Sequence, residues 1–146
     1  MLPPSSPYVT DGQQLAGDEL ALSPENKYTI TARYTLPLDE RLGSVTVGAD
    51  FIHTDEQLSN YADRNSSNPD IAGLGTLPDT DLFNVNVNWD AIGGSPVDLL
   101  IFGTNVTNEK YYAFVPGLAI GTGFETAVLG QPRMYGVQLT YRFDGE

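Results

Sequence analysis

The sequence predicts an all-β chain that supplies about five strands to an antiparallel, up-and-down transmembrane β-barrel. Apolar residues recur at every second position in several segments of about ten residues, which is the period of a strand with two different faces. The connections between these segments alternate between short and long along the chain. The 15 glycines and 10 prolines are spread throughout, which disfavours long helices.

Five strands follow from the period of two. In the first, Tyr28, Ile30 and Tyr34 share one face, while threonines and Arg33 occupy the other. The fourth is apolar on both faces, so its orientation stays open. The predicted strands are 27–36, 44–54, 81–90, 97–106 and 133–143.

The connections indicate how these strands are joined. Pro37–Gly43 and Ala91–Pro96 are short and hold turn residues, whereas Asp55–Thr80 and Thr107–Gln131 are long. Short turns at one end and long loops at the other are typical of outer-membrane barrels, and such long loops are uncommon in soluble domains. Ten residues at about 3.3 Å each, tilted by about 40°, cross about 25 Å, which matches the apolar band of a barrel.

The aromatic and amide side chains agree with a membrane barrel. Asn84, Asn86 and Asn88 lie at alternate positions, where a wet lumen would accept amides that a dry sandwich core would not. Aromatic residues near the strand ends predict an interfacial girdle. The girdle residues singled out are Tyr28, Trp89, Tyr111, Tyr112 and Tyr135.

Composition argues against several classes of function. The chain carries 19 acidic and 7 basic residues, a formal charge of −12, which disfavours binding to nucleic acid. It has no cysteine and a single histidine, His53, so a thiolate metal site, a Cys nucleophile and a Ser-His-Asp triad are not predicted. We therefore expect no enzyme activity, no cofactor and no metal site.

Six acidic residues fall in or beside the first long connection. Chelation of a cation is one interpretation, but their spacing does not match a calcium-binding loop, so a solvated loop is favoured. These residues are Asp55, Glu56, Asp63, Asp70, Asp79 and Asp81.

Two stretches near the end of the sequence resemble TonB-dependent outer-membrane receptors. In Val97–Tyr112 an apolar strand runs into Asn-Val-Thr-Asn-Glu-Lys-Tyr, which is similar to the signature after the family's penultimate strand. Gly130–Phe143 reads Gly-x-Pro-Arg-x-Tyr-Gly-Val-x-Leu-x-Tyr-x-Phe and is similar to the family's last strand. Residues 11–15 and Ser23-Pro24 are similar to a loop before an earlier barrel strand, so the resemblance spans about residues 11–143.

This resemblance implies a transporter in the outer membrane of a Gram-negative bacterium. Receptors of the family are barrels of about 22 strands closed by an N-terminal plug domain. They bind a scarce nutrient, such as an iron–siderophore, cobalamin or a glycan, and the TonB complex pulls on the plug to release it. Residues 1–146 would be the C-terminal part of the barrel, without the plug. The expected partners are outer-membrane lipid, lipopolysaccharide, the rest of the barrel, the plug, and through the plug the TonB complex.

The resemblance also assigns a role to the end of the chain. Tyr141 and Phe143 match the aromatic signal by which the barrel-assembly machinery captures outer-membrane proteins. The alternative is an ordinary amphipathic edge strand. If Phe143 ends the last strand on the periplasmic side, the two long connections are extracellular.

Ligand contacts are expected from those connections and from lumen-facing side chains. Phe114 and Phe124 are candidates for stacking on a ligand, and Arg33 is a candidate for an anionic group, with a charge ladder inside the barrel as its alternative. A second class of function stays open: a soluble extracellular β-sandwich that binds glycans. In that fold the apolar residues of the strands would meet in a core between two sheets.

Overall fold

The computed structural model describes residues 17, 19–64, 66 and 68–143, so the motif at 11–15 lies outside the described residues. Nine strands and three one-turn helices are present in this part of the chain. The strands are β1 (Lys27–Thr35), β2 (Ser44–Thr54), β3 (Gln57–Leu58), β4 (Thr76–Leu77), β5 (Thr80–Asp90), β6 (Val97–Thr104), β7 (Tyr112–Phe114), β8 (Val128–Leu129) and β9 (Met134–Tyr141). The helices are α1 (Tyr61–Arg64), α2 (Pro69–Ala72) and α3 (Ala119–Thr122), with 3-10 turns at Glu40–Leu42, Gly73–Gly75 and Ile92–Gly94.

Five long strands form the main sheet in the order β1-β2-β5-β6-β9, and every neighbouring pair is antiparallel. The prediction of a mostly β chain with five antiparallel strands is confirmed. The sheet is open, with β1 and β9 at its edges, and the described residues do not form a closed barrel.

Short connections join the strands at one end of the sheet. At the other end lie loop A (residues 55–79) and loop B (residues 105–133), which contain the hairpins β3–β4 and β7–β8.

The ends of the strands differ slightly from the predicted segments. The strand predicted over 97–106 ends at Thr104, because Asn105 adopts a left-handed backbone with φ 48°. The last strand covers Met134–Tyr141 of the predicted 133–143. Phe143 therefore lies beyond β9, with 86% of its surface exposed.

One face of the main sheet, here called the apolar face, carries large uncovered side chains. A single row of paired residues crosses all five strands on this face: Tyr34, Val47, Val87, Ile101 and Val137. The exposed fractions are 59% for Tyr34, 47% for Ile101 and 69% for Val137. The register also fixes the orientation of β6, which the sequence left open, since Ile101 pairs with Val87 and Val137.

The opposite face, here called the polar face, is held by side-chain hydrogen bonds. Thr31 Oγ1 donates to Asp50 Oδ1 across 2.7 Å, and Asn88 Nδ2 donates to Asn86 Oδ1 across 3.0 Å. Phe102 is an apolar residue on this face, and its ring occupies the space that a Cβ on Gly136 would need. The two faces therefore differ in chemistry along most of β1, β2, β5 and β9, whereas β6 is apolar on both faces because Leu100 also lies on the polar face.

Apolar burial is concentrated in the loops rather than in the main sheet. Among the described residues the buried apolar side chains are Leu58, Leu77, Val115 and Ala119, and all four belong to loop A or loop B. The two loops therefore share a small core at one end of the sheet. None of the helices in the described ranges is long and apolar enough to cross a membrane.

Candidate functional site in the loop layer

Ser59 of loop A and Val115 of loop B connect the two loops. The Ser59 hydroxyl donates to the Val115 carbonyl across 2.8 Å and accepts from the Val115 N–H across 2.9 Å. Both residues are buried, so the bonds are protected from competition by water. This exchange fixes the position of β7 relative to the β3–β4 hairpin.

Asn60 extends the connection between the loops. Its Nδ2 donates to the Val115 carbonyl across 3.2 Å, while its Oδ1 accepts from the backbone N–H of Asp63 across 2.8 Å. Gly117 has φ +82° and lies so close to the Asn60 side chain that a Cβ there would overlap it. Glycine is therefore required at 117 both for its backbone conformation and for this contact.

Asp63 lies at the centre of this region and is completely buried. One oxygen, Oδ2, accepts from Asn60 Nδ2 across 3.3 Å, but no donor among the described residues reaches Oδ1. The neighbouring carboxyl group is that of Glu125 in loop B. Burial raises the pKa of Asp63 above its usual value, and the hydrogen bond and negative charge of Glu125 raise it further.

Glu125 has a different environment. Its Oε2 accepts from the backbone N–H groups of Leu118, at 2.7 Å, and Ala119, at 3.1 Å, while Oε1 accepts from Thr126 at 2.8 Å. Desolvation acts to raise the pKa of Glu125, but the Thr126 N–H, the Asp63 side chain and two further N–H groups lower it below its usual value. The two carboxyl groups are thus shifted in opposite directions.

A second charged cluster lies where β2 meets loop A. The His53 ring is held between two carboxylates, with Nδ1 2.7 Å from Asp81 and Nε2 2.8 Å from Asp55. Asp55 also accepts from the side chain and the backbone N–H of Asn26. Hydrogen bonds from Asn26, and then from His53, lower the pKa of Asp55. His53 stacks on Tyr28 with ring centroids 4.9 Å apart, so the cluster lies directly beside the aromatic end of the apolar face.

An open cleft of about 910 Å³ separates segment 19–25 from loop A. Carboxylates dominate its charged lining, and Arg64 is paired with Glu19 across 3.5 Å. Tyr61 donates to the Glu19 carbonyl, and Leu22 N–H donates to the Leu58 carbonyl, which anchors the segment to loop A. The acidic lining of the cleft is Glu19, Glu25, Asp55, Glu56 and Asp79.

Asn105, the first residue of the Asn-Val-Thr-Asn signature, is buried and connects loop B to the sheet. Its Nδ2 donates to the carbonyls of Glu109, at 2.8 Å, and Gln131, at 3.0 Å, and its Oδ1 accepts from the Glu109 N–H. Its own N–H donates to Asn84 Oδ1. The side chain thus holds the two ends of loop B together.

The three ligand candidates do not come together in one cluster. Arg33 lies in the middle of edge strand β1, opposite Gly48. Phe114 ends β7 and Phe124 follows α3, so both belong to loop B, which connects strands at the other edge of the sheet. No aromatic pair in the described part of the chain includes Phe114 or Phe124. The role of each of these residues in ligand binding stays a prediction.

Three of the girdle candidates lie on strands of the main sheet, and the other two lie in loop B. Tyr28 lies at the loop end of the apolar face, and Trp89 lies at the turn end, where its Nε1 donates to the Leu42 carbonyl across 2.8 Å. Tyr135 is exposed on β9 and lies beneath the Arg133 guanidinium. Tyr111 and Tyr112 are in loop B, where Tyr111 packs on Gly130 and its hydroxyl accepts from Gln131 N–H.

The two residues of the predicted assembly signal touch each other. Tyr141 is the last residue of β9, and its ring meets that of Phe143 edge-on, with centroids 4.7 Å apart. Both side chains are more than half exposed. Their arrangement places a compact aromatic surface at the end of β9.

The interpretation of the acidic residues of loop A as solvated is wrong for Asp63, which is buried against loop B. Ser59, Asn60 and Glu125 could not be recognised from the sequence, because their partners are distant in the chain. No group of three or more histidine, cysteine or acidic residues within the described ranges is arranged to hold a metal ion.

Comparison with known proteins leaves the family of the chain open. No protein-family model matches the sequence, and no curated protein is significantly similar to it.

Proposed function

We propose that the chain is the C-terminal part of the β-barrel of a TonB-dependent receptor in the outer membrane of a Gram-negative bacterium. In this proposal it contributes five strands to a barrel of about 22 strands that takes up a scarce nutrient, such as an iron–siderophore, cobalamin or a glycan. Its partners are outer-membrane lipid, lipopolysaccharide, the rest of the barrel and plug, the TonB complex acting through the plug, and the barrel-assembly machinery.

The observation that carries the proposal is the uncovered apolar face. Burial of a large apolar side chain is favourable by about 1.5–3 kcal/mol relative to exposure in water. A row of such side chains across five strands is therefore unfavourable unless an apolar environment covers it. Lipid covers such a face in a membrane barrel while the opposite face lines a wet lumen. The polar face carries Asn84, Asn86 and Asn88 at alternate positions of β5, and a water-filled lumen can hydrogen-bond their amide groups.

Strand length and connectivity support the same proposal. β2 and β5 each have 11 residues, which span about 36 Å along the strand and about 28 Å across a membrane at a tilt near 40°. The short connections lie at one end of the sheet and the long ones at the other. The free edges of β1 and β9 would pair with strands supplied by the remainder of the barrel.

The arrangement favours this proposal over a soluble glycan-binding β-sandwich. In a sandwich, Tyr34, Val87 and Val137 would face a second sheet. Here they lie side by side on one sheet and stay exposed.

A matched pair of arginine substitutions on β9 tests the proposal. Val137 lies on the apolar face and its neighbour Gln138 on the polar face. With the chain folded in lipid vesicles, we expect Val137→Arg to destabilise it by about 2–4 kcal/mol and Gln138→Arg to change stability far less, because only the first charge enters lipid. Urea titration followed by circular dichroism measures both. Equal effects of the two substitutions would contradict the proposal.

A further inference from the structure

We propose that the Asp63 and Glu125 carboxyl groups share one proton and together form a pH-dependent latch that holds loop A against loop B. The latch goes beyond the proposed transport function and does not depend on it, since all of its parts lie in the two loops.

The hydrogen-bond geometry requires the shared proton. In the described part of the chain, Asp63 Oδ1 and Thr104 Oγ1 are the buried side-chain atoms that have no hydrogen-bond partner, and only Asp63 lies in the loops. Two ionised carboxylates are both acceptors and cannot bond to each other. A single proton on Asp63 turns its carboxyl group into a donor toward Glu125 and satisfies both groups.

The position of the proton follows from the two environments. Glu125 is held in its ionised form by three backbone N–H groups, those of Leu118, Ala119 and Thr126. Asp63 has no comparable set of donors, because Asn60 Nδ2 is its one side-chain donor at 3.3 Å among the described residues. The proton therefore resides on Asp63, and Glu125 accepts it in a hydrogen bond.

No other charge on the described elements around the pair compensates it. On α1, Arg64 is paired with Glu19, and Tyr61 donates to the Glu19 carbonyl. The adjacent α2 carries Asp70, which is exposed, and neither α3 nor the 3-10 turn beside α1 carries a charged residue. Loss of the proton would leave a negative charge on the buried Asp63 beside the half-buried, ionised Glu125, which drives the two carboxylates apart.

The latch has a defined pH dependence. Because the pKa of Asp63 is raised in the folded chain, the stabilisation is present at acidic pH and is lost as the pH rises through that raised value. The pKa of Glu125 is lowered in the folded chain, so the stabilisation from its ionised form is present at higher pH. That stabilisation is lost as the pH falls through the lowered value. The loops are therefore held together between the two pKa values, and they separate above that of Asp63.

Two spin labels report the separation directly. The chain has no native cysteine, so labels can be placed on Ala62→Cys, which is exposed on α1, and Gly121→Cys in α3, where an added Cβ meets nothing within 4 Å. The distance between the labels is measured on the full chain in detergent micelles from about pH 4 to about pH 9. We expect a short, narrow distance distribution at the acidic end and a longer, broader one at the alkaline end, with a single-proton transition between them.

Three variants decide between the latch and a general effect of pH. Asp63→Asn supplies a permanent N–H donor to Glu125, so the short distance should persist at every pH. Asp63→Ala removes both the donor and the charge that would repel Glu125, so the distance should no longer change with pH. Asp70→Asn, on the exposed surface of α2, should behave like the unsubstituted chain. A distance that does not change with pH in the unsubstituted chain, or a transition that survives in Asp63→Asn, would overturn the latch.

Discussion

Asn84 Oδ1 accepts a hydrogen bond of 2.9 Å from the backbone N–H of Asn105. This contact connects the polar face of β5 to the residue that follows β6. Asn105 in turn holds Glu109 and Gln131 through its side chain, so the first residue of the Asn-Val-Thr-Asn signature has a structural role that its resemblance alone does not specify.

We expect substitution of Asn105 to destabilise the folded chain. Asn105→Gly keeps the left-handed backbone available but leaves the Glu109 and Gln131 carbonyls without their donor, which costs about 1–3 kcal/mol. Asn105→Ala should cost about 1 kcal/mol more, because a Cβ disfavours φ 48°. Chemical denaturation measures both. If Asn105→Gly were as stable as the unsubstituted chain, the side-chain bonds would not contribute.

Gly43 closes the short connection between β1 and β2, and we expect Gly43→Ala to weaken it. A Cβ there would overlap the backbone carbonyls of Asp90 and Ala91, at a residue with φ +86°. Gly93 also has a positive φ but has open space around it, so Gly93→Ala is the matched control. Gly43→Ala should lower the melting temperature much more than Gly93→Ala does. Equal decreases would show that the positive φ, and not the overlap with the two carbonyls, causes the loss of stability.

Asp55 should make stability depend on pH in the acidic range. Its pKa is lowered in the folded chain by Asn26 and His53, so its stabilising contribution is present above the usual Asp value of 3.8 and is lost as the pH falls through the lowered value. Asp55→Asn should flatten the stability profile in that range, whereas Glu56→Gln, at the exposed next position, should not. The check is urea denaturation at a series of pH values. A profile unchanged in Asp55→Asn would exclude this carboxylate as the cause.

Phe143 should promote capture by the barrel-assembly machinery, if the aromatic pair at the end of β9 is the assembly signal. Phe143→Ala removes the ring that meets Tyr141 edge-on. We expect less of the assembly machinery to copurify with Phe143→Ala than with the unsubstituted chain. Phe124→Ala, an exposed aromatic in loop B, is the control and should leave the amount unchanged. Equal recovery from the two variants would argue for an ordinary edge strand.

Four of the five long strands could be predicted from the sequence because each alternates in polarity over its length, and β6 could be predicted as an apolar segment. The orientation of β6 could not, since Leu100 and Ile101 are both apolar and only the pairing of Ile101 with Val87 and Val137 distinguishes the faces. The latch could not be predicted either. Asp63 lies in a charged loop whose composition predicts a solvated segment. Its burial depends on loop B, which follows two further strands of the main sheet, β5 and β6.

The most direct measurement of the central proposal uses Trp89, the single tryptophan of the chain. It lies on the apolar face, with Val87 on the same face and Asn88 on the opposite one. In vesicles of lipid brominated on the acyl chains, fluorescence from Trp89 should be quenched. In a Trp89→Phe background, Val87→Trp should be quenched more strongly, because it lies about 7 Å farther from the strand end. Asn88→Trp should be quenched little. Equal quenching at positions 87 and 88, or none at 87 and 89, would contradict the account that lipid covers the apolar face.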